Sequence, residues 1–145
     1  MSFLLDTNVL SEPTRPRPDT GVLSWLASAN EDEIFISAIT IAEIRRGIQR
    51  LPPGRKRAGL DGWLDGDLRP RFETRILPVD SRIADTCGRL IAQSESKGRA
   101  LELADGCIAA TAVVHGLTLV TRNRTDFEAV VRSILVPWIR TEAKS

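Results

Sequence analysis

Two hydrophobic rhythms alternate along this chain. Short apolar runs at Phe3-Leu4-Leu5, Ile34-Phe35-Ile36, residues 75–79, residues 117–121 and Ile134-Leu135-Val136 read as strands. Between them, apolar side chains recur three and four positions apart, the spacing of a helix buried along one side. Residues 20–29 place Val22, Leu26 and Ala29 on one side, after a loop carrying Pro13, Pro16 and Pro18. Ser37 suits the cap of a helix that buries Ile41, Ile44 and Ile48, runs to about residue 51 and stops at Pro52-Pro53-Gly54. Residues 55–68 form a further helix with the stripe Leu60, Trp63, Leu64 and Leu68. Asp80 caps a long helix with Ile83, Cys87, Leu90, Ile91 and Ser94 in line, ended by Gly98. The helix at residues 104–115 is apolar almost all round and stops at Gly116, and Asp126 starts a last short helix. Pro78 cannot donate to a ladder, so the strand at 75–79 is an edge strand. Strands alternating with helices predict an α/β fold, a central and mostly parallel sheet flanked by helices on both faces. The pattern leaves the order of the strands open.

A chain of 145 residues suits one domain, expected over residues 1–140 with a short polar tail at 141–145. Its 42% hydrophobic and 27% charged residues are ordinary for a water-soluble fold, so composition alone assigns no function. A net charge of +1 gives no global pull toward nucleic acid, and any such binding needs a local patch. No apolar stretch approaches the ~20 residues of a membrane span. The opening Met1-Ser2-Phe3-Leu4-Leu5-Asp6 has no basic region and meets an acid at once, unlike a signal peptide. A cytoplasmic location is expected. Cys87 and Cys107 fall in helical segments and read as small core residues of a reducing compartment.

The candidate chemistry lies in four acids. Asp6 ends the first strand, Glu43 sits on the helix after the second, Asp105 opens the apolar helix, and Asp126 follows the fourth strand. Ligands of parallel α/β sheets bind beyond the carboxyl ends of the strands, and each acid is expected at that rim. A carboxylate beside a core is costly unless a cation meets it. Four converging carboxylates make a site for a hard divalent cation, Mg²⁺ or Mn²⁺ rather than zinc. Each acid also has a structural reading. Asp6 could cap the turn at Thr7-Asn8, Glu43 could be a solvated helix residue, Asp105 a first-turn acid and Asp126 a cap for the helix carrying Phe127.

Other catalytic sets are missing. His115 is the only histidine and precedes Gly116 at a helix end, where a cation suits the dipole, so a two-histidine ribonuclease mechanism is excluded. Asp6-Thr7-Asn8 lacks the Asp-x-Asp pair of aspartyl-nucleophile phosphatases, and there is no Gly-rich phosphate loop or Cys/His metal spacing. Tyrosine is absent, so any base stacking rests on Phe, Trp or Arg. Residues 45–57 hold Arg45, Arg46, Arg50, Arg55, Lys56 and Arg57 without an acid, and could hold phosphates, an acidic protein segment or only water. Trp25 and Trp63 read as core side chains.

The flanks of the four acids resemble a known family. Leu4-Leu5-Asp6-Thr7-Asn8-Val9-Leu10-Ser11-Glu12, Ile36-Ser37 with Ala42-Glu43-Ile44-Arg45-Arg46-Gly47, Ala104-Asp105-Gly106-Cys107-Ile108-Ala109-Ala110-Thr111-Ala112, and Leu119-Val120-Thr121-Arg122-Asn123 with Asp126-Phe127 are similar to the PIN-domain nucleases. The nearest branch resembles the VapC and FitB toxins of type II toxin–antitoxin pairs. The resemblance covers nearly the whole chain to Pro137-Trp138, where Val136 replaces the branch's usual Asn, and Gly106-Cys107 is a second, minor departure. It implies an Mg²⁺- or Mn²⁺-dependent endoribonuclease that cuts single-stranded or looped RNA, paired with a VapB- or FitA-like antitoxin and forming a homodimer. On that reading Asp6 and Asp105 are direct ligands. Glu43 and Asp126 are ligands or water positioners, and Thr7, Asn8, Thr121 and Asn123 orient carboxylates. Arg122, Arg124 and Arg46 are the phosphate candidates. The competing expectation is a PIN-like module that grips nucleic acid or protein without cutting.

Overall fold

Side chains alternate across each strand, and this alternation decides which helices cover which face. The computed structural model describes residues 1–139. The expected tail at 141–145 lies outside the described residues. Five parallel strands form one sheet: β1 Phe3–Leu5, β2 Ile34–Ser37, β3 Ile76–Leu77, β4 Thr118–Val120 and β5 Ile134–Leu135, in the order β3-β2-β1-β4-β5. Leu4 pairs in register with Leu119, and Leu5 with Val120. The first pair enters a core built with Ile83, Cys87, Leu90, Ile108 and Phe127. The second enters the opposite core with Val22, Ile44, Ile48, Leu64, Leu68 and Phe72. The helices α6 Ser81–Ser96, α7 Leu103–His115 and α8 Arg124–Phe127 thus cover one face. The helices α2 Thr20–Ser28, α3 Ala38–Gln49, α4 Arg55–Trp63 and α5 Arg69–Phe72 cover the other.

The sequence signals for element ends match the observed caps. Ser37 Oγ accepts from the N–H of Ile39 at 3.2 Å, and Asp80 Oδ1 accepts from the N–H of Ile83 at 3.0 Å. Gly116 closes α7 in the left-handed region at φ +65°, with the Leu117 N–H returning to the Ala112 carbonyl at 2.8 Å. β3 lies at the edge of the sheet, as expected for the strand beside Pro78, and it ends before that proline.

Three expectations need correction. The stretch after β1 is not all loop: α1 Thr7–Ser11 starts directly after Asp6, because the Asp6 carboxylate caps it. The helix expected over 55–68 widens into a π turn at Leu64–Leu68 and continues into α5. Gly62 and Gly66 weaken the helical ladder there, and Leu64, Leu68 and Phe72 remain buried as one row. Asp126 does not start its helix; Asn123 precedes α8 and Asp126 is its third residue.

The order of the strands locates a crevice. From β1 the chain builds outward through β2 to β3, then crosses to the other side of β1 to form β4 and β5. The reversal lies between β1 and β4, and such a switch point opens a cleft at the carboxyl ends of those two strands. Asp6 follows β1, and Thr121-Arg122-Asn123 follows β4.

Candidate metal centre

Asp6 is held from several directions. It is only 4% exposed. Its Oδ1 accepts from the N–H of Thr7 at 2.8 Å. Its Oδ2 accepts from Thr121 Oγ1 at 2.7 Å and from Asn8 Nδ2 at 3.3 Å. The donors are themselves fixed. Thr121 Oγ1 accepts from the N–H of Asn123 at 3.0 Å, and Asn8 Oδ1 accepts from the N–H of Arg122 at 3.2 Å. The loop after β4 is thereby tied to the loop after β1. Thr7 has a second role: its Oγ1 donates to Glu43 Oε1 at 2.6 Å, so one residue bridges Asp6, just after β1, to Glu43 on α3.

Electrostatics connects the remaining acids. Burial pushes the Asp6 carboxyl up from 3.8 to about 6, against the lowering effect of its hydrogen bonds from Thr121 and Thr7, and the Glu43 charge adds to the rise. The Asp105 carboxyl, half-buried in the first turn of α7, is raised to about 7. Burial is the largest cause, followed by the charges of Asp6, Glu43, Asp126 and Glu102. Each expected acid therefore acts on Asp105, and Asp105 is where their repulsion concentrates. Among the described residues no Lys or Arg pairs with any of the four. This is an uncompensated negative pocket over the sheet's carboxyl edge.

The grouping is looser than four side chains on one point. Among the described residues, no three His, Cys, Asp or Glu side chains are gathered tightly enough to hold an ion as they stand. The physical cause lies in the charges and bonds already described. Like-charged carboxylates repel across a low-dielectric pocket, both Asp6 oxygens are occupied by protein donors, and Asp126 stands exposed at the rim. The donors are nonetheless all oxygen, the set preferred by Mg²⁺ and Mn²⁺.

The predicted partners divide. Thr7, Asn8, Thr121 and Asn123 all enter the network around Asp6. Arg122 lies over the Trp138 ring at 5.8 Å, and Arg124 donates to the Ile134 carbonyl at 3.1 Å. Arg45 leaves the basic set, since it meets Asp61 and Asp65 at 2.5 Å each. Arg46 is exposed. Two contributors went unread in the sequence. Glu102 adds its charge beside Asp105, and its place one residue ahead of α7 was the available signal. A cleft beside Glu43, lined also by Thr7, Gly47 and Trp63, has no signature in sequence.

Known proteins share this fold and much of this sequence. Residues 3–132 match the PIN domain. The chain is 39% identical to the VapC ribonuclease Y4jK of Sinorhizobium fredii, over 94% of this chain and 97% of that protein. It is 41% identical to Toxin FitB of Neisseria gonorrhoeae, over 94% and 98%. The crystal structure of FitAcB from Neisseria gonorrhoeae superposes with a TM-score of 0.88 at 40% identity, covering 95% of this chain and 99% of that one. The chain, with its crevice between β1 and β4 and its acids around Asp6, belongs to the PIN-domain family.

Proposed function

We propose that this protein is the ribonuclease toxin of a toxin–antitoxin pair, dependent on Mg²⁺ or Mn²⁺ and cutting RNA by hydrolysis. The observation that carries the reading is the negative pocket itself: buried Asp6 and raised Asp105, with no cationic side chain among the described residues to balance them. Such a pocket is costly for folding and is retained where a cation enters. The similarity to a VapC ribonuclease and to the FitB toxin supports the same assignment.

Asp6 and Asp105 are the residues that would hold the ion, with Glu43 and Asp126 completing or flanking its shell. A bound divalent cation supplies Lewis acidity and positive charge at the scissile phosphate. The chain does the rest. Thr121 and the Thr7 N–H fix the two Asp6 oxygens, and Asn8 ties that carboxylate to the Arg122 backbone. Thr7 aims Glu43, and a carboxylate so placed orients the attacking water and takes its proton. The water oxygen bonds to phosphorus as the bond to the leaving ribose oxygen breaks, and that oxygen takes up a proton. Spare guanidinium donors of Arg122 and Arg124 face the phosphate backbone. A VapB- or FitA-like antitoxin and a second copy of the chain complete the expected assembly, in the cytoplasm. No described helix is long and apolar enough to cross a membrane.

The test is cleavage of a mixed single-stranded RNA with Mg²⁺ or Mn²⁺, with EDTA, and with Asp105→Asn protein. Metal-dependent cutting lost in EDTA and in the variant is expected, as is toxic expression relieved by the antitoxin. Binding of RNA without cutting in any metal would instead establish a gripping module.

A further inference from the structure

Beside Glu43 opens a cleft of about 240 Å³, lined by Thr7, Ser11 and Thr14 on one side, Ile44, Gly47 and Ile48 on α3, and Leu60 and Trp63 on α4. The face of α3 that borders it, outside its lining, is basic. Arg46 and Arg50 lie three and seven residues after Glu43, so all three share one face of the helix. The two arginines are separated by a rise of about 6 Å and lead away from the acid pocket. Both are exposed. Neither is in an ion pair among the described residues, in contrast to Arg45, which Asp61 and Asp65 neutralise. Arg55 and Lys56, at the start of α4, extend the same unpaired charge. The floor is bare at Gly47, where an added Cβ would meet open space. Trp63, only partly buried, supplies an aromatic wall.

We propose that this cleft and its rim form a track for one arm of an RNA strand leaving the acid pocket, with Arg46 and Arg50 on neighbouring phosphates and a base lodged over Gly47 against Trp63. The inference rests on the nuclease reading and deepens it. Charge complementarity selects a polyanion. A path from Glu43, with exposed cations on the bordering face of α3 and a flat ring within the cleft, fits single-stranded nucleic acid, which combines a basic groove with stacking platforms. An aromatic ring can also anchor a protein segment, and the acidic-peptide arm of the test separates that occupant from RNA.

The test uses full-length protein made cleavage-deficient by Asp105→Asn and a fluorescein-labelled single-stranded RNA of about 12 nucleotides, read by anisotropy across a salt series. Arg46→Glu/Arg50→Glu is expected to weaken binding roughly tenfold and to make the slope of log K against log salt shallower by about 1.4, two contacts at ~0.7 each. Gly47→Leu fills the cleft without touching a charge. It is expected to weaken binding with its salt slope unchanged and its melting temperature no lower than the parent's. Arg89→Glu/Arg132→Glu, an equal change of charge elsewhere, leaves affinity within twofold. An unchanged slope and affinity in Arg46→Glu/Arg50→Glu overturns the track. So does a reversal that spares RNA but abolishes binding of a labelled oligoglutamate peptide, which would assign the rim to an acidic protein segment. Protein with Asp105 intact that binds with the expected slope yet cuts no RNA in Mg²⁺ or Mn²⁺ sinks the nuclease reading and leaves the track standing.

Discussion

Removing a carboxylate from the acid pocket should stabilise the metal-free protein. Asp105 is raised from 3.8 to about 7 by burial and by the charges of Asp6, Glu43, Asp126 and Glu102. A rise of ~3 pKa units corresponds to about 4 kcal/mol of penalty on the ionised form, at ~1.4 kcal/mol per unit. Asp105 is only half-buried, and solvent screening reduces this to about 2 kcal/mol. The sign follows from linkage. The folded state binds the proton more tightly than the unfolded chain, so this carboxyl is harmless below pH ~4 and costs progressively more as pH rises to 7. Asparagine is uncharged throughout. Asp105→Asn should therefore raise the unfolding free energy in EDTA at pH 8 by about 2 kcal/mol, a shift of roughly 4–8 °C in melting temperature for a chain of this size. The gain should vanish near pH 4. Saturating Mg²⁺ should reverse the order by stabilising the unsubstituted protein alone. The assay is thermal and urea unfolding by circular dichroism at both pH values. A variant that melts lower than the parent at pH 8 in EDTA would show that Asp105 is a structural acid and would refute the reasoning.

Thr121→Val deletes a hydroxyl that donates to Asp6 Oδ2 and accepts from the Asn123 N–H; a loss of about 2 kcal/mol is expected by urea titration, with the Asp6 carboxyl titrating higher still by carboxylate NMR. Thr7→Val should leave stability within about 1 kcal/mol while lowering metal-dependent cleavage ~10–100-fold, because Glu43 loses the hydroxyl that aims it; wild-type rates in a gel-based cleavage assay would count against that role. Gly106→Ala should cost about 1–3 kcal/mol in thermal unfolding, since its Cβ would sit 2.8 Å from Cys87 Sγ and 2.9 Å from Ile91.

The alternation of strands and helices was legible because each element is both periodic and capped. Ser37, Asp80 and Gly116 act at the helix ends their chemistry suggests. Strand order was not legible. Parallel strands buried on both faces are all short apolar runs, and nothing in Phe3-Leu4-Leu5 distinguishes a central strand from its neighbour. The π turn at Leu64–Leu68 hid for a similar reason, since the apolar stripe continues through it. At the site, the partners of Asp6 were readable from the residues beside it and beside Thr121. The free or paired state of each arginine was not. Arg45 and Arg46 are neighbours in sequence, yet one meets two aspartates of the helix packed against α3 and the other faces solvent. Asp126 was expected at a helix start, but Asn123 begins that turn, and its backbone N–H is held by Thr121.

The claim beneath all of this is that a divalent cation draws the separated acids together. Crystals grown with Mn²⁺ and measured for anomalous scattering test it directly. A peak in contact with carboxylate oxygens of both Asp6 and Asp105, with Glu43 or Asp126 turned toward it, is the expected result. No peak between those two carboxylates at saturating Mn²⁺ would contradict it.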